Sequence, residues 1–139
     1  MRKHRWAAAV LGLILGLTLA ACGGSGSSAT TSAKNPAAAV VESYLAALVA
    51  KDSAKVSNLS CKTFEQQALL EMDGFQAVKA ELAGVTCKDS GTDGSATLVA
   101  CTGNIVLTYN TEKQSLDVSR QTYKAVQEGG DWRVCGYKQ

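Results

Sequence analysis

The stretch NPAAAVVESYLAALVAKD, residues 35–52, decides the fold, because it predicts a helix with one apolar face. Asn35 can cap its first turn, and Pro36 suits the first helical position, where a backbone N–H is not needed. Apolar residues then recur at helical spacing, at positions 40, 41, 44, 45, 48 and 49. Such a stripe has to be buried against a second layer of structure. We therefore expect a folded domain over residues 36–139.

Two more helices are predicted directly downstream. Asp52 or Ser53 can cap a short second helix. Residues 63–66, Thr-Phe-Glu-Gln, have the form of a capping box and predict a third helix that runs to residues 73–74. An apolar spacing predicts one or two further helical turns, carried by Phe75, Val78 and Leu82.

The pattern changes to strands after Gly84. Turn signals separate four predicted strands, at residues 85–89, 95–109, 115–127 and 131–137. Gly103 interrupts the longest of them and predicts a bulge. Helices followed by an antiparallel meander indicate an α+β domain. The expected architecture has the N-terminal helices packed on one face of a curved four-stranded antiparallel sheet.

The segment before the domain has the layout of a secretory signal. A basic start, residues 1–5, precedes an uncharged run over residues 7–21, which is shorter than the ~20 residues that span a bilayer. The run ends in Leu19-Ala20-Ala21-Cys22, which resembles the lipobox of bacterial lipoproteins. The resemblance implies removal of residues 1–21, cleavage between Ala21 and Cys22, and a diacylglycerol on Cys22. The alternative is an ordinary signal peptide with a cysteine near its end by chance.

A lipidated Cys22 would hold the protein at the cell membrane, facing outside the cytoplasm, without a transmembrane helix. Two acyl chains anchor stably where one is marginal, since each buried methylene contributes about 0.8 kcal/mol. Residues 23–35 are rich in Gly and Ser and predict a flexible tether that spans on the order of 20 Å. The lipidated cysteine and its tether together make up residues 22–35.

Charge argues against nucleic acid as a partner. The chain has 14 basic and 12 acidic residues, but Arg2, Lys3 and Arg5 precede Cys22, so the mature chain keeps 11 basic residues against 12 acidic ones and a net charge of −1. A near-neutral domain lacks the basic surface of a nucleic-acid binder. The one histidine, His4, also lies in the signal, so the mature protein has no imidazole for acid–base work or metal binding.

Four cysteines remain once Cys22 is set aside: Cys61, Cys87, Cys101 and Cys135. Outside the cytoplasm an even number predicts disulfides. No C-x-x-C pair and no histidine supports a zinc or redox site, so we predict neither a metal nor a cofactor. The four cysteines allow three connectivities.

A three-residue hairpin loop at residues 93–95 would place Cys87 opposite Cys101, which makes a cross-strand bridge geometrically reasonable. That pairing leaves Cys61 with Cys135. Successive side chains along the last strand point to opposite faces, which argues against this second bridge. If Trp132 and Val134 face the helices, Cys135 points away from them, unless the strand bulges or Cys61 reaches round an edge.

The two ends of the domain resemble a small exported domain of the nuclear transport factor 2-like family. The resemblance is carried by AAAVVESYLAALVAKDSAKVSNLSC, residues 37–61, and by YKAVQEGGDWRVCGY, residues 123–137. It implies a cone in which three helices are enclosed by a curved antiparallel sheet. Exported domains of this kind often carry a disulfide between the second helix and the last strand. The family includes enzymes, transport factors and binding domains, so the fold does not specify the function.

Two classes of function remain. The favoured one is a non-catalytic, membrane-tethered accessory domain that binds a protein partner or a small apolar ligand. The alternative is a small isomerase- or hydrolase-like enzyme that uses a carboxylate and a tyrosine inside the cone. Asp117 and Tyr123 are the sequence candidates for such a pair, because their spacing would put them on one face of the third strand. More simply, Asp117 faces solvent and Tyr123 packs against the sheet, so we assign no catalytic residue.

Overall fold

The computed structural model describes residues 35–138, which form three helices and five antiparallel strands. The helices are α1 (Pro36–Ala50), α2 (Ser53–Leu59) and α3 (Glu65–Asp73); the strands are β1 (Lys79–Asp93), β2 (Ala96–Tyr109), β3 (Glu112–Asp117), β4 (Thr122–Glu128) and β5 (Asp131–Lys138). A single 3₁₀ turn, Val118–Arg120, separates β3 from β4. The helices pack against the sheet, which confirms the α+β class. The predicted signal peptide, Cys22 and all of the predicted tether except Asn35 lie outside the described residues.

Helix α1 begins and ends as its sequence predicts. The Asn35 side chain accepts a hydrogen bond from the Ala37 N–H (3.2 Å), and Pro36 occupies the first turn. Lys51 ends the helix in a left-handed conformation (φ 57°). Its ammonium donates to the carbonyls of Gln76 and Val78 (3.3 and 2.8 Å), which ties the end of α1 to the segment before β1. The apolar stripe is buried, and α1 contacts β1, β2, β4 and β5.

The predicted capping box is wrong. Helix α3 begins at Glu65 with Phe64 at the cap position, and no side chain caps it. Phe64 is buried in the core, where its ring lies 6.2 Å from that of Tyr44, whereas Thr63 is exposed. Burial of a phenylalanine outweighs the hydrogen bond that a threonine cap would supply. At α2, by contrast, Asp52 is the cap and accepts from the Lys55 N–H (3.1 Å).

Strand β1 is much longer than predicted, and the expected helical turns after residue 74 are absent. Residues 74–78 form a turn, and pairing with β2 begins at Lys79, which lies opposite Thr108. The apolar spacing predicted a helix wrongly, because the far half of β2 needs a partner strand. A helix at residues 75–82 would have left backbone groups of β2 on that side without hydrogen bonds. Gly103 does mark an irregularity: Gly84 and Val85 both oppose it, and a side chain at Gly103 would meet the Gly84 carbonyl.

The hairpin that joins β1 to β2 reaches the predicted cysteine register by another route. Asp93 lies opposite Ala96, so the loop has two residues rather than three. A second irregularity, at Ser90, shifts the register back by one, and Cys87 pairs with Cys101. One error in loop length is thus offset by one bulge.

The predicted third strand is divided in two, which makes the sheet five-stranded rather than four-stranded. β3 pairs with the distal half of β2 and β4 with its proximal half, while the main strand order is β1-β2-β4-β5. Between them the chain bends at the 3₁₀ turn. Asp117 caps this turn by accepting from the Ser119 N–H (2.8 Å), and Val118 is buried below it.

Both predicted disulfides are present, with Cα–Cα distances of 4.9 Å for Cys61–Cys135 and 4.1 Å for Cys87–Cys101. The difficulty with Cys135 is resolved at the edge of the sheet. Ser60 bridges Val134 in parallel, and the Cys61 N–H donates to the Val134 carbonyl (2.8 Å), so the chain runs alongside β5 instead of over its face. Val134 therefore faces the core, while Cys135 forms its disulfide with Cys61 along the edge of the sheet.

Among the helices of residues 35–138, none is both long enough and apolar enough to cross a membrane.

Candidate functional site

A pocket of about 430 Å³ lies between the helices and the part of the sheet where β3 gives way to β4. Most of its wall is apolar and is formed by Leu45, Leu48, Phe75, Ile105, Leu116 and Val118. Its remaining lining is polar: Glu71, Ser115, Asp117, Arg120, Gln121, Tyr123 and Tyr137. The size falls within the usual range of small-molecule sites. The break in the predicted third strand therefore forms one wall of this pocket.

Glu71 is the centre of the polar end. Its Oε2 accepts a hydrogen bond from the Tyr44 hydroxyl and its Oε1 accepts one from the Tyr137 hydroxyl, both at 2.9 Å. Tyr44 belongs to α1, Glu71 to α3 and Tyr137 to β5. Three elements that are distant in sequence thus meet at one carboxylate, and both phenols act as donors to it.

The environment keeps both phenols protonated. Burial, followed by the negative charge of Glu71, raises the pKa of Tyr44 far above its usual value. The hydrogen bond to Glu71 is the main cause of the raised pKa of Tyr137, with burial second. Since a phenolate beside a carboxylate is doubly unfavourable, these tyrosines are neutral donors at neutral pH.

Tyr123 supplies a hydroxyl with no partner among residues 35–138. The residue is 5% exposed, and its ring packs edge-on against Tyr137 with the centroids 6.3 Å apart. Burial raises its pKa to about 12, so it too is protonated. The hydroxyl is not sealed away from solvent, because no side-chain oxygen or nitrogen in the described residues is both fully buried and unpaired. Tyr123 lines the pocket, which is where its hydroxyl can hydrogen-bond to a ligand.

The charge of the pocket is set by Glu71. Within residues 35–138, no lysine or arginine lies within ion-pair distance of its carboxylate, whose partners are the two tyrosines. Asp117 and Arg120 are exposed lining residues of opposite charge. Hydrogen bonds from Ser119 lower the pKa of Asp117, and the Arg120 charge adds to this effect. The charges of Asp117 and Arg120 offset each other, so the remaining net charge of the pocket is the negative charge of Glu71.

The sequence candidates reach the pocket, but not as a pair on one strand. Asp117 is exposed at the cap of the 3₁₀ turn, and Tyr123 packs into the sheet on β4, beyond the break. The carboxylate beside tyrosines is Glu71, which the sequence analysis missed. A signal was present: Ala68, Glu71 and Met72 share one helical face, of which Ala68 and Met72 are buried.

The four paired cysteines are not among the residues that line the pocket, which fits a structural role. In the part of the chain that the structure describes, no group of three His, Cys, Asp or Glu side chains is placed to hold a metal ion. The polar chemistry of the pocket therefore rests on a carboxylate and phenols.

Comparison with known proteins adds little to this geometry. No protein-family model and no curated protein matches the chain. A solved structure similar to it is the solution structure of a SEC-C motif-containing protein from Rhodopseudomonas palustris. That protein is 13% identical, and the match covers 72% of this chain and 75% of that chain with a TM-score of 0.47. A likeness this distant carries no argument about activity or ligand.

Proposed function

We propose that this protein is a membrane-anchored extracytoplasmic lipoprotein whose domain binds a small, largely apolar ligand in the pocket around Glu71. The observation that carries the proposal is the pocket itself. It offers about 430 Å³ behind a wall of leucine, isoleucine, valine and phenylalanine side chains. A few polar groups converge at one end, which is the usual composition of a ligand site.

The anchor rests on the N-terminal sequence. The basic start, the short apolar run and Leu19-Ala20-Ala21-Cys22 resemble the signal and lipobox of bacterial lipoproteins. The Gly/Ser-rich tether would place the domain near the lipid surface while leaving it free to turn. The resemblance to exported nuclear transport factor 2-like domains is part of the same proposal.

Fractionation of bacterial cells that express the full chain tests the anchor. We expect the wild type in the membrane fraction, with an N-terminal peptide that begins at Cys22 and carries acyl mass. Cys22→Ala should lose that mass and leave the membrane fraction. A wild-type N-terminus without acyl mass, together with a membrane-bound variant, would refute the lipoprotein assignment.

Two exposed leucines provide a matched test of the pocket. Leu116 lines the pocket and is 45% exposed, whereas Leu70 lies on α3 outside the lining and is 60% exposed. Leu116→Trp should obstruct the pocket without disturbing the core, and Leu70→Trp adds the same bulk elsewhere. Native mass spectrometry of the purified protein should show a co-purifying small molecule in the wild type and in Leu70→Trp, but not in Leu116→Trp. Equal occupancy in all three would place the ligand outside the pocket, and its absence from all three would count against a binding domain.

One observation favours an enzyme as the second candidate: a carboxylate lies beside tyrosines in an apolar pocket. Such a pair can remove a proton next to a carbonyl and stabilise the charge that develops on oxygen. The hydrogen bonds oppose this role, since each oxygen of Glu71 already accepts a phenol O–H.

Proton exchange separates the two candidates. The full chain is incubated with cyclohexanone in D₂O, and exchange of the hydrogens next to the carbonyl is followed by NMR. A binding domain should exchange them no faster in the wild type than in Glu71→Gln. Faster exchange that depends on Glu71 would establish the enzyme instead.

A further inference from the structure

We propose that the ligand of this pocket carries one cationic amine, whose ammonium group binds at Glu71 among the tyrosines while its apolar body lies against the aliphatic wall. This inference rests on the proposed binding function and specifies the chemical class of the ligand. It follows from four features of the pocket: hydrogen-bond polarity, uncompensated charge, aromatic lining and size.

The inner end of the pocket offers mainly acceptors. The O–H groups of Tyr44 and Tyr137 are directed at Glu71, so neither is left to donate to a ligand. What remains are lone pairs on the carboxylate and on the Tyr137 oxygen, together with the hydroxyl of Tyr123, which can accept as well as donate. An ammonium group has three donors and no acceptor, whereas a carboxylate would face acceptors and a negative charge.

Charge leads to the same choice. Glu71 is half-buried, and no cationic side chain of residues 35–138 lies within ion-pair distance of it. Two phenol hydrogen bonds stabilise a carboxylate but do not neutralise it, and a charge removed from water gains most from an opposite charge. A bound ammonium would supply that charge. Of the two carboxylates that line the pocket, Asp117 lies beside the charge of Arg120 and only Glu71 lacks a cationic neighbour among residues 35–138, which favours a monoamine over a diamine.

Two tyrosine rings line the pocket beside Glu71. Tyr123 and Tyr137 meet edge to face at 6.3 Å, and both line the pocket. Tyr44 reaches the same carboxylate from α1. The faces of aromatic rings attract cations, most strongly where water is excluded. Alcohols gain much less from such rings, so the aromatic lining discriminates by charge rather than by hydrogen bonding alone.

Size and wall chemistry determine the rest of the ligand. About 430 Å³ is more than a small ammonium ion needs. Most of the remaining wall is aliphatic: Leu45 and Leu48 lie on α1, Ile105 and its register partner Leu116 lie on β2 and β3, and Val118 lies on the 3₁₀ turn. The ligand is therefore amphipathic, with one cationic end and a compact apolar body.

Three probes with the same apolar body test the inference: 4-phenylbutylamine, 4-phenylbutan-1-ol and 4-phenylbutyrate, titrated into the full mature chain at pH 7 by calorimetry. We expect the amine to bind at least about ten-fold more tightly than the alcohol, as a desolvated ion pair and cation–π contact imply, and the carboxylate to bind most weakly. An alcohol or carboxylate that binds as tightly as the amine overturns the inference and leaves the binding pocket standing. If none of the three binds, the proposed binding function fails together with the inference.

The variant Glu71→Gln keeps the shape and an acceptor oxygen but removes the charge. It should bring the amine within about two-fold of the alcohol while the alcohol still binds. Glu65→Gln is the matched control, since Glu65 lies on the same helix, pairs with Lys62 at 3.0 Å and does not line the pocket. It should leave all three affinities unchanged. An amine preference that survives Glu71→Gln would overturn the assignment to Glu71. If circular dichroism shows that this variant does not fold, the probe series on the wild type still decides the ligand class, and Tyr123→Phe, which removes the free hydroxyl, should weaken the amine several-fold.

Discussion

Two regions of the helix–sheet interface differ in packing: one is closed, and the other leaves a pocket. The α2–β5 seam, formed by Val56, Ser60, Cys61, Val134 and Cys135, is closed: Val56, Ser60 and Val134 are 0–1% exposed. Its polar groups pair within it, since the Ser60 hydroxyl donates to the Val56 carbonyl at 2.7 Å. The Glu71 pocket, formed by the lining residues given above, lies in the same interface. It encloses space, however, and includes the phenol of Tyr123, which has no hydrogen-bond partner among residues 35–138.

The difference separates a part of the domain that is joined by covalent and backbone bonds from a part that leaves room for the proposed ligand. In the seam, a backbone hydrogen bond, a parallel bridge and a disulfide all join the end of the helical half to the last strand. In the pocket, the carboxylate is held by side chains alone. Protein interiors usually pack without voids, so an interface that is dense at one end and open at the other is suited to hold a ligand at the open end.

Removal of the seam disulfide should produce the largest loss of stability. Cys61–Cys135 closes a separation of 74 residues and Cys87–Cys101 one of 14. Chain entropy predicts a cost of about 4 kcal/mol for the Cys61→Ala/Cys135→Ala variant and about 3 kcal/mol for Cys87→Ala/Cys101→Ala. Urea denaturation of the two double variants measures both values. A larger cost for the hairpin bridge would show that the seam is not the main fastening of the domain.

Equal truncations in the two regions should differ in cost. Val134 in the seam is 0% exposed and Val118 in the pocket wall is 5% exposed. Val134→Ala removes about two methylene equivalents and leaves a void in packed surroundings, which predicts a loss of about 2–3 kcal/mol. Val118→Ala enlarges a space that already exists and should cost about 1 kcal/mol. Equal losses in chemical denaturation would mean that the pocket wall is packed as tightly as the seam.

The two tyrosine donors to Glu71 should also differ. Tyr44→Phe removes a hydrogen bond to a carboxylate from a fully buried phenol and should cost about 2 kcal/mol. Tyr137 is half-buried, so water can replace its donor, and Tyr137→Phe should cost about 1 kcal/mol or less. Thermal unfolding of both variants beside the wild type checks the order. The reverse order would indicate that Tyr137 is the main support of the carboxylate.

The smallest effect is expected on the outer side of the strands that carry the pocket tyrosines. Asp93, at the end of β1, forms ion pairs with Lys138 at 2.9 Å and with Lys124 at 3.0 Å. Each of these lysines directly follows a pocket tyrosine in the sequence. Hydrogen bonds to Lys138 and Lys124 lower the pKa of Asp93 from 3.8 to about 2. Since the folded pKa is depressed, the stabilising effect is complete above pH 4 and is lost as the pH falls through about 2.

The melting temperatures of the wild type and Asp93→Asn should therefore differ slightly at neutral pH and converge as the pH approaches 2. Salt should reduce the difference as well, because the pair is exposed. Asp89→Asn, on the same strand without these partners, is the control. A difference that persists at low pH and high salt would show that Asp93 acts through something other than its charge.

The sequence predicted correctly the elements that depend on a regular spacing of apolar residues or on a local cap. The apolar stripe of α1 and its Asn35 cap follow from spacing and residue type. The even number of cysteines predicted disulfides, but the Cys87–Cys101 register was predicted from a loop of the wrong length, and alternation opposed the second bridge. The failures share a cause: at Thr63, at residues 75–82 and at the break after Asp117, a long-range partner overruled a local preference. Phe64 is drawn into the core, β2 requires a strand beside its far half, and one predicted strand divides to follow the two halves of β2.

The sequence alone determined the class of fold and the helices that open it, because periodicity and caps are local properties. The anchor proposed at Cys22 rests on a short motif of the same local kind and stays a prediction. Only the tertiary structure decided where the pocket lies and that Glu71 is its polar centre. Tyr44 and Tyr137 approach that carboxylate from positions 27 and 66 residues away. Local sequence patterns cannot predict this contact, since it forms only when the helices and the sheet pack together and bring two donors to a half-buried acceptor.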